Sequence, residues 1–230
     1  MARAMQRADT AARSITHHRI PLGLLLLSRR QLTVEQLRTA LATQRAAGRG
    51  RIGDWLQELG FVTEEQVTAA VARQWSCPVL RMNPVPGGAL PQLPLAIMHS
   101  FSLIPVDFVP ASGTLHIAFR NGIDYGVLYA IEQMLELHTE PCMALASIVD
   151  RELNTHSECR GDFEITFERS SDTREVAAVL CNYTRRVAAT ELRLASCGLH
   201  LWARLFRANK RPLDLLFLSS QSLPRHVSMD

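Results

Sequence analysis

Chemistry-bearing residues are sparse in this chain, and their spacing excludes more than it offers. Lys210 is the only lysine. A phosphate-cradling P-loop needs a lysine after a glycine-rich turn, with Ser or Thr behind it. Lys210 sits in Ala208-Asn-Lys-Arg-Pro212, which has neither, so the chain is not a P-loop ATPase. Cys77, Cys142, Cys159, Cys181 and Cys197 are odd in number and form no CxxC pair. That usage suits a reducing cytoplasm better than a disulfide scaffold. His156 and Cys159 are spaced like half a metal site, but no second half follows, so no metal is expected. Asp124, Asp150, Glu152 and His156 can be assembled into an acid–base set on paper. Helix caps and exposed faces explain them more simply, and no nucleophile–base spacing accompanies them. The expectation is a non-enzyme without a cofactor. Gln44 and Gln74 differ in kind. Each extends an apolar helical stripe at the same register, where a polar group either faces solvent or aims into a lined pocket.

That register exists because the sequence repeats. Pro21–Gln44 and Arg51–Gln74 superpose with an offset of 51 − 21 = 30 positions. Gly23 falls on Gly53, Leu26 on Leu56, Thr33 on Thr63, Gln36 on Gln66, Ala40 on Ala70 and Gln44 on Gln74. Leu22/Ile52, Leu32/Val62, Leu37/Val67 and Leu41/Val71 match in kind. A fixed period means one supersecondary unit built twice. In each copy a short helix follows the Leu-Gly or Ile-Gly pair, then a turn, then a longer helix. Thr33-Val-Glu-Gln36 and Thr63-Glu-Glu-Gln66 both read as capping boxes that start the longer helix. Two like units facing each other make a quasi-symmetric cleft, which suits a quasi-symmetric ligand.

The remaining chain supplies the frame. Its 230 residues are 47% hydrophobic and 20% charged, with net charge +3, an ordinary globular balance. The sequence pI near 8.8 hints at anionic partners. No apolar run is long enough to span a bilayer. Ile20–Leu27 follows a basic arm as a signal peptide would, but lacks a cleavage site and runs into the first repeat. The expected class is α+β: an N-terminal tandem helix-pair repeat packed with a small α/β subdomain, plus a separate small C-terminal α/β unit. Residues 1–16 read as a disordered basic arm, 17–81 as the tandem repeat and 82–94 as a Pro/Gly-rich linker. Residues 95–155 read as the α/β subdomain. Its parts are a short helix over Leu95–Ser100, strands over Ser102–Phe108 and Thr114–Phe119, a helix capped by Asp124, a strand over Met143–Ala146 and a closing helix from Ser147. Residues 160–218 form the C-terminal unit and 219–230 a tail. Within that unit a strand is expected at Phe163–Phe167 and a helix over Thr173–Ala189. The helix turns Val176, Val179, Leu180, Tyr183 and Val187 inward. A hairpin follows, turning at Cys197-Gly198, then an apolar element over Leu213–Leu218. Arg185, Arg186, Arg193, Arg204, Arg207, Lys210 and Arg211, with Trp202, make this unit look basic. Solvated edges explain most such clusters, so nucleic acid is not the expected partner.

The repeat resembles the tandem motif of the MshEN domain, the N-terminal domain of type II secretion and type IV pilus assembly ATPases. That motif runs Arg-Leu-Gly, a Leu three on, a Gly four further, then Leu-Ser/Thr, a helix with Leu and Ala-Leu, and a closing Gln. The second copy matches at Arg51, Ile52, Gly53, Leu56, Gly60, Val62, Thr63, Val67, Ala70, Val71 and Gln74. The first matches at Leu22, Gly23, Leu26, Leu32, Thr33, Leu37, Ala40, Leu41 and Gln44, but Pro21 replaces the arginine and Arg30 the glycine. Ile104-Pro-Val106, Leu115-His-Ile-Ala118 and Asn121-Gly-Ile-Asp124 echo the family's α/β subdomain, so the resemblance covers about residues 18–155.

The resemblance implies a regulatory or adaptor protein of the cytoplasm that binds cyclic di-GMP and partners a secretion or pilus assembly ATPase or platform protein. The implied ligand residues are Arg51, Ile52, Gly53, Leu56, Gly60 and Gln74, with Leu22, Gly23, Leu26 and Gln44. An arginine fork bonds guanine O6 and N7 or grips a phosphate. Glycines let backbone amides approach a phosphate, and leucines cover purine faces. Pro21 offers neither charge nor N–H, and Arg30 must hold a turn that glycine makes freely. The alternative implied by these departures is a degenerate module that binds only protein.

Overall fold

The computed structural model describes residues 19–80, 90–158, 163–168 and 172–219. The basic arm, most of the linker, Cys159 and the tail beyond Ser219 lie outside them. Contacts divide the chain into two compact units, Met1–Thr63 and Glu64–Asp230.

The first unit is helical. Helix α1 is Leu22–Ser28, α2 is Val34–Ala47 and α3 is Ile52–Glu58. Helices as short as α1 and α3 do not persist alone, so buried side chains must hold them. Leu26 and Leu56 are fully buried, each worth about 1.5–3 kcal/mol of burial. The expected capping box starts α2: Gln36 N donates to Thr33 Oγ1 at 3.2 Å, and Thr33 N donates to Gln36 Oε1 at 2.9 Å. Gly48 ends α2 in the left-handed region, φ 64°.

The second unit starts with α4, Glu64–Gln74, one residue after Thr63. Next come α5 (Leu95–Phe101), β1 (Leu103–Val109), β2 (Thr114–Phe119), α6 (Tyr125–Leu135), β3 (His138–Met143) and α7 (Ala146–Glu158). Strands β1 and β2 are antiparallel, while β2 and β3 are parallel and joined through α6. Asp124 caps α6 as expected, its Oδ1 accepting from Gly126 N at 2.8 Å and Val127 N at 3.1 Å. One expectation fails here. The strand placed at Met143–Ala146 is His138–Met143, and Ala146 already belongs to α7. Pro141 and a polar start disguise β3. It is the edge of this sheet, where a missing N–H is tolerated.

The C-terminal part comprises β4 (Glu164–Glu168), α8 (Thr173–Arg186), β5 (Glu191–Cys197), β6 (His200–Arg207) and β7 (Lys210–Leu218). The sheet order is β4-β7-β6-β5, with β4 parallel to β7 and the other pairs antiparallel. Val176, Val179, Leu180, Tyr183 and Val187 face inward as expected, against Ala203, Leu205, Leu213, Leu215 and Phe217. Helix α8 stops before Ala189 because Ala188 takes φ 48°. Cys197 pairs with His200, so the first hairpin turns one residue later than expected. A second hairpin, at Ala208-Asn209, lengthens the final strand back to Lys210.

This sheet is tied to the rest of its unit. The Glu164 carboxylate accepts from Leu95 N at 2.6 Å and Ala96 N at 3.0 Å, capping α5 from far along the chain. Arg204 and Asp214, both buried, form a two-point ion pair of 2.7 and 2.8 Å; Trp202 Nε1 donates to Asp214 at 2.7 Å and Arg204 donates to Gln92 O at 2.9 Å. Every buried charge in this network is matched, as burial demands.

Candidate functional site

Within the first unit the two short helices and their turns are built alike, bond for bond. Leu24 N and Leu25 N donate to Pro21 O at 3.0 and 3.1 Å; Asp54 N and Trp55 N donate to Arg51 O at 3.1 and 3.3 Å. At the other end, Arg30 N donates to Leu27 O and Gly60 N to Gln57 O, both at 2.9 Å. Gln31 N reaches back to Leu26 O at 3.0 Å and Phe61 N to Leu56 O at 2.9 Å. Pro21 and Arg51 hold the same N-cap position with extended backbone. Leu22 and Ile52 are half-buried, Gly23 and Gly53 buried, Leu26 and Leu56 fully buried. The turn after each short helix is left-handed, with φ 57° at Arg30 and 68° at Gly60. A Cβ on Gly60 would meet open space, so what that position needs is the backbone conformation, not the missing side chain. Arg30 adopts it at a cost of about 1–2 kcal/mol.

Gly23 serves packing rather than backbone conformation. A Cβ there would lie 2.7 Å from Leu37 Cδ1, so glycine lets α1 settle on α2. Arg51 is exposed at the N-terminus of α3. The Asp54 carboxylate accepts from Arg51 N at 3.4 Å, half a capping box that a guanidinium, all donors, cannot complete. The connector before Arg51 is pinned from both flanks. Gln44 Nε2 donates to Gly50 O at 2.9 Å, and Trp55 Nε1 donates to Arg49 O at 3.0 Å. One hydrogen of the Gln44 amide thus braces the loop that carries Arg51. Trp55 was not singled out from the sequence. Its signal was its place four residues after Arg51, one turn inside the same short helix.

The first unit therefore gathers Leu22, Gly23, Leu26, Gln44, Arg51, Ile52, Gly53, Leu56 and Gly60. Gln74 closes α4, half-buried, in the second unit.

Elsewhere the chemistry is quenched. Asp124 caps α6, and Arg120 Nη1 bonds both Asp150 oxygens at 2.7 and 2.9 Å. Glu152 pairs with Arg151. Burial pushes the Cys142 and Cys197 thiols up to about 12, in Cys142 with the Cys77 charge adding and in Cys197 with Asp124 adding. Neither is an activated nucleophile at neutral pH. Among the described residues no group of three or more His, Cys, Asp or Glu is placed to hold a metal ion. No helix among them is long and apolar enough to cross a membrane.

No family model and no curated relative matches the chain. Solved structures do. The structure of MshE with cdg is similar over 60% of this chain and 99% of that chain, with 28% identity and a TM-score of 0.49. The N-terminal domain of XpsE is similar over 58% of this chain and 91% of its own, with 23% identity and a TM-score of 0.44. A second crystal form of that domain gives 56% and 89%, with 25% identity and a TM-score of 0.36.

Proposed function

We propose that the chain is a non-catalytic regulatory or adaptor protein of the cytoplasm, linked to type II secretion or type IV pilus machinery. Its twin repeat takes cyclic di-GMP. One observation carries this reading: Arg51 stands exposed at a helix N-terminus, on a connector braced by Gln44 and Trp55, two residues before the buried Gly53. A guanidinium held in that way suits a phosphate or a guanine edge. The half-buried Ile52 and the helix N-terminus lie beside it, offering apolar cover and backbone N–H groups. The motif supplies the ligand class.

Pro21 favours the second reading, a module that docks only protein. It occupies the Arg51 position of the first repeat without charge or N–H donor. The two readings part in calorimetry with cyclic di-GMP. Micromolar or tighter binding that Arg51→Ala loses supports the receptor. No heat and no thermal shift at high ligand removes it and leaves the docking module.

A further inference from the structure

The C-terminal sheet sorts its cations into two kinds. Arg204 is buried against Asp214, and Arg193 pairs with Glu191 and Glu136. Arg185, Arg186, Arg207, Lys210 and Arg211 have no carboxylate partner among the described residues. The topology places all of these at one end of the sheet. Helix α8 finishes with Arg185 and Arg186, and β5 then begins at Glu191, which pairs with Phe206. Thr190 N donates to Phe206 O at 2.9 Å, joining that crossing to the strand that ends in Arg207. Lys210 and Arg211 open β7 after the Ala208-Asn209 turn, and β4 enters at the same end, with Glu164 opposite Asp214.

Local contacts fix several of these cations in place. The Arg207 guanidinium donates to Arg211 O. Arg211 lies over the Phe163 ring at 5.5 Å and Arg186 over Tyr183 at 6.0 Å. Beside Arg185 and Arg186 the flank of α8 opens into a depression of about 640 Å³ with Ala178, Cys181 and Asn182. The helix dipole accounts for cations in the last turn of α8. It does not account for those of the hairpin.

We infer that this end of the sheet is a docking surface for an anionic phospholipid bilayer. The charge calls for a polyanion, and the aromatic rings decide which. Single-stranded nucleic acid needs open aromatic faces on which bases stack. Here Phe163 and Tyr183 each already carry a guanidinium on one face, and Trp202 is buried. What remains is a set of cations at one end of a sheet, donors for phosphate without base readout, which suits a broad charged plane. The hairpin tip, Ala208-Asn209, has no large apolar group to insert, so attachment is electrostatic and reversible.

The test is co-sedimentation of the full chain with vesicles of phosphatidylglycerol and phosphatidylcholine in equal parts, against phosphatidylcholine alone. Binding is expected only to the anionic vesicles and falls as salt rises. Each cation near such a surface is worth about a fivefold gain in partition. Lys210→Ala/Arg211→Ala and Arg185→Ala/Arg186→Ala are therefore each expected to weaken binding by about 25-fold. Arg174→Glu changes the net charge by the same two units at the opposite end of α8 and should leave binding nearly unchanged. Equal loss in all three variants makes the effect one of net charge and overturns the surface. Absence of vesicle binding at physiological salt also overturns it. So does a single-stranded oligonucleotide that binds tighter than the vesicles and loses affinity in the same two variants.

Discussion

The first repeat enters its short helix on a proline and the second on an arginine, yet the chain bends alike at both. Pro21 O and Arg51 O each accept from the residues three and four ahead, and each turn closes on a left-handed residue. The backbone of this unit is thus fixed by Gly23, Leu26 and their counterparts, while charge is free to differ. Repeat two keeps an exposed guanidinium at the helix mouth; repeat one keeps only the shape.

The largest expected effect tests whether the shapes are equal. Leu26→Ala and Leu56→Ala should each destabilise the protein by about 2–5 kcal/mol. Denaturant unfolding reads both, and a loss confined to one repeat would break the comparison. Next comes charge. Arg51→Ala should weaken cyclic di-GMP binding by about 1.5–3 kcal/mol, on the order of ten- to a hundredfold. Pro21→Arg, read in the same calorimeter, should tighten it by about tenfold if the first repeat is a silent half-site. An unchanged affinity would make the asymmetry functional rather than accidental. A smaller effect lies in the turns. Arg30→Gly should stabilise by about 1 kcal/mol, and Gly60→Ala should destabilise by about 1–2 kcal/mol, since both positions hold positive φ. Thermal melts of the two variants should move in opposite directions. The smallest is the brace. Gln44→Ala removes the bond to Gly50 O and should cost about 0.5–1.5 kcal/mol of stability. Loss of ligand affinity in that variant would show that the brace also aims Arg51.

What was legible in the sequence was what neighbours in the chain decide. The Thr33 box, the Asp124 cap, β2 to the residue and the inward face of α8 follow from local pattern. The left-handed turn at Arg30 was legible by alignment with Gly60. Strand β3 was not, because an edge position tolerates Pro141 and edges are a property of the sheet. The candidate site was legible in residue type but not in contact. No pattern announces that Gln44 and Trp55 would grip the carbonyls on either side of the Arg49–Gly50 bond. Nor does any local signal say that Arg193, Arg204 and Trp202 would be withdrawn from the basic C-terminal group. Asp214 on the neighbouring strand takes Arg204 and Trp202, and Arg193 is shared between Glu191 on its own strand and the distant Glu136.

The Glu164 cap on α5 has a consequence for truncation. A helix that borrows its N-cap from a strand more than sixty residues away loses that cap when the strand is lost. Residues 163–218 are therefore coupled to the α/β core through defined hydrogen bonds. A descendant cut short before β4 would leave Leu95 and Ala96 with open N–H groups and Gln92 without its Arg204 donor. Whatever surface the sheet presents, its loss would be felt at the entry to α5.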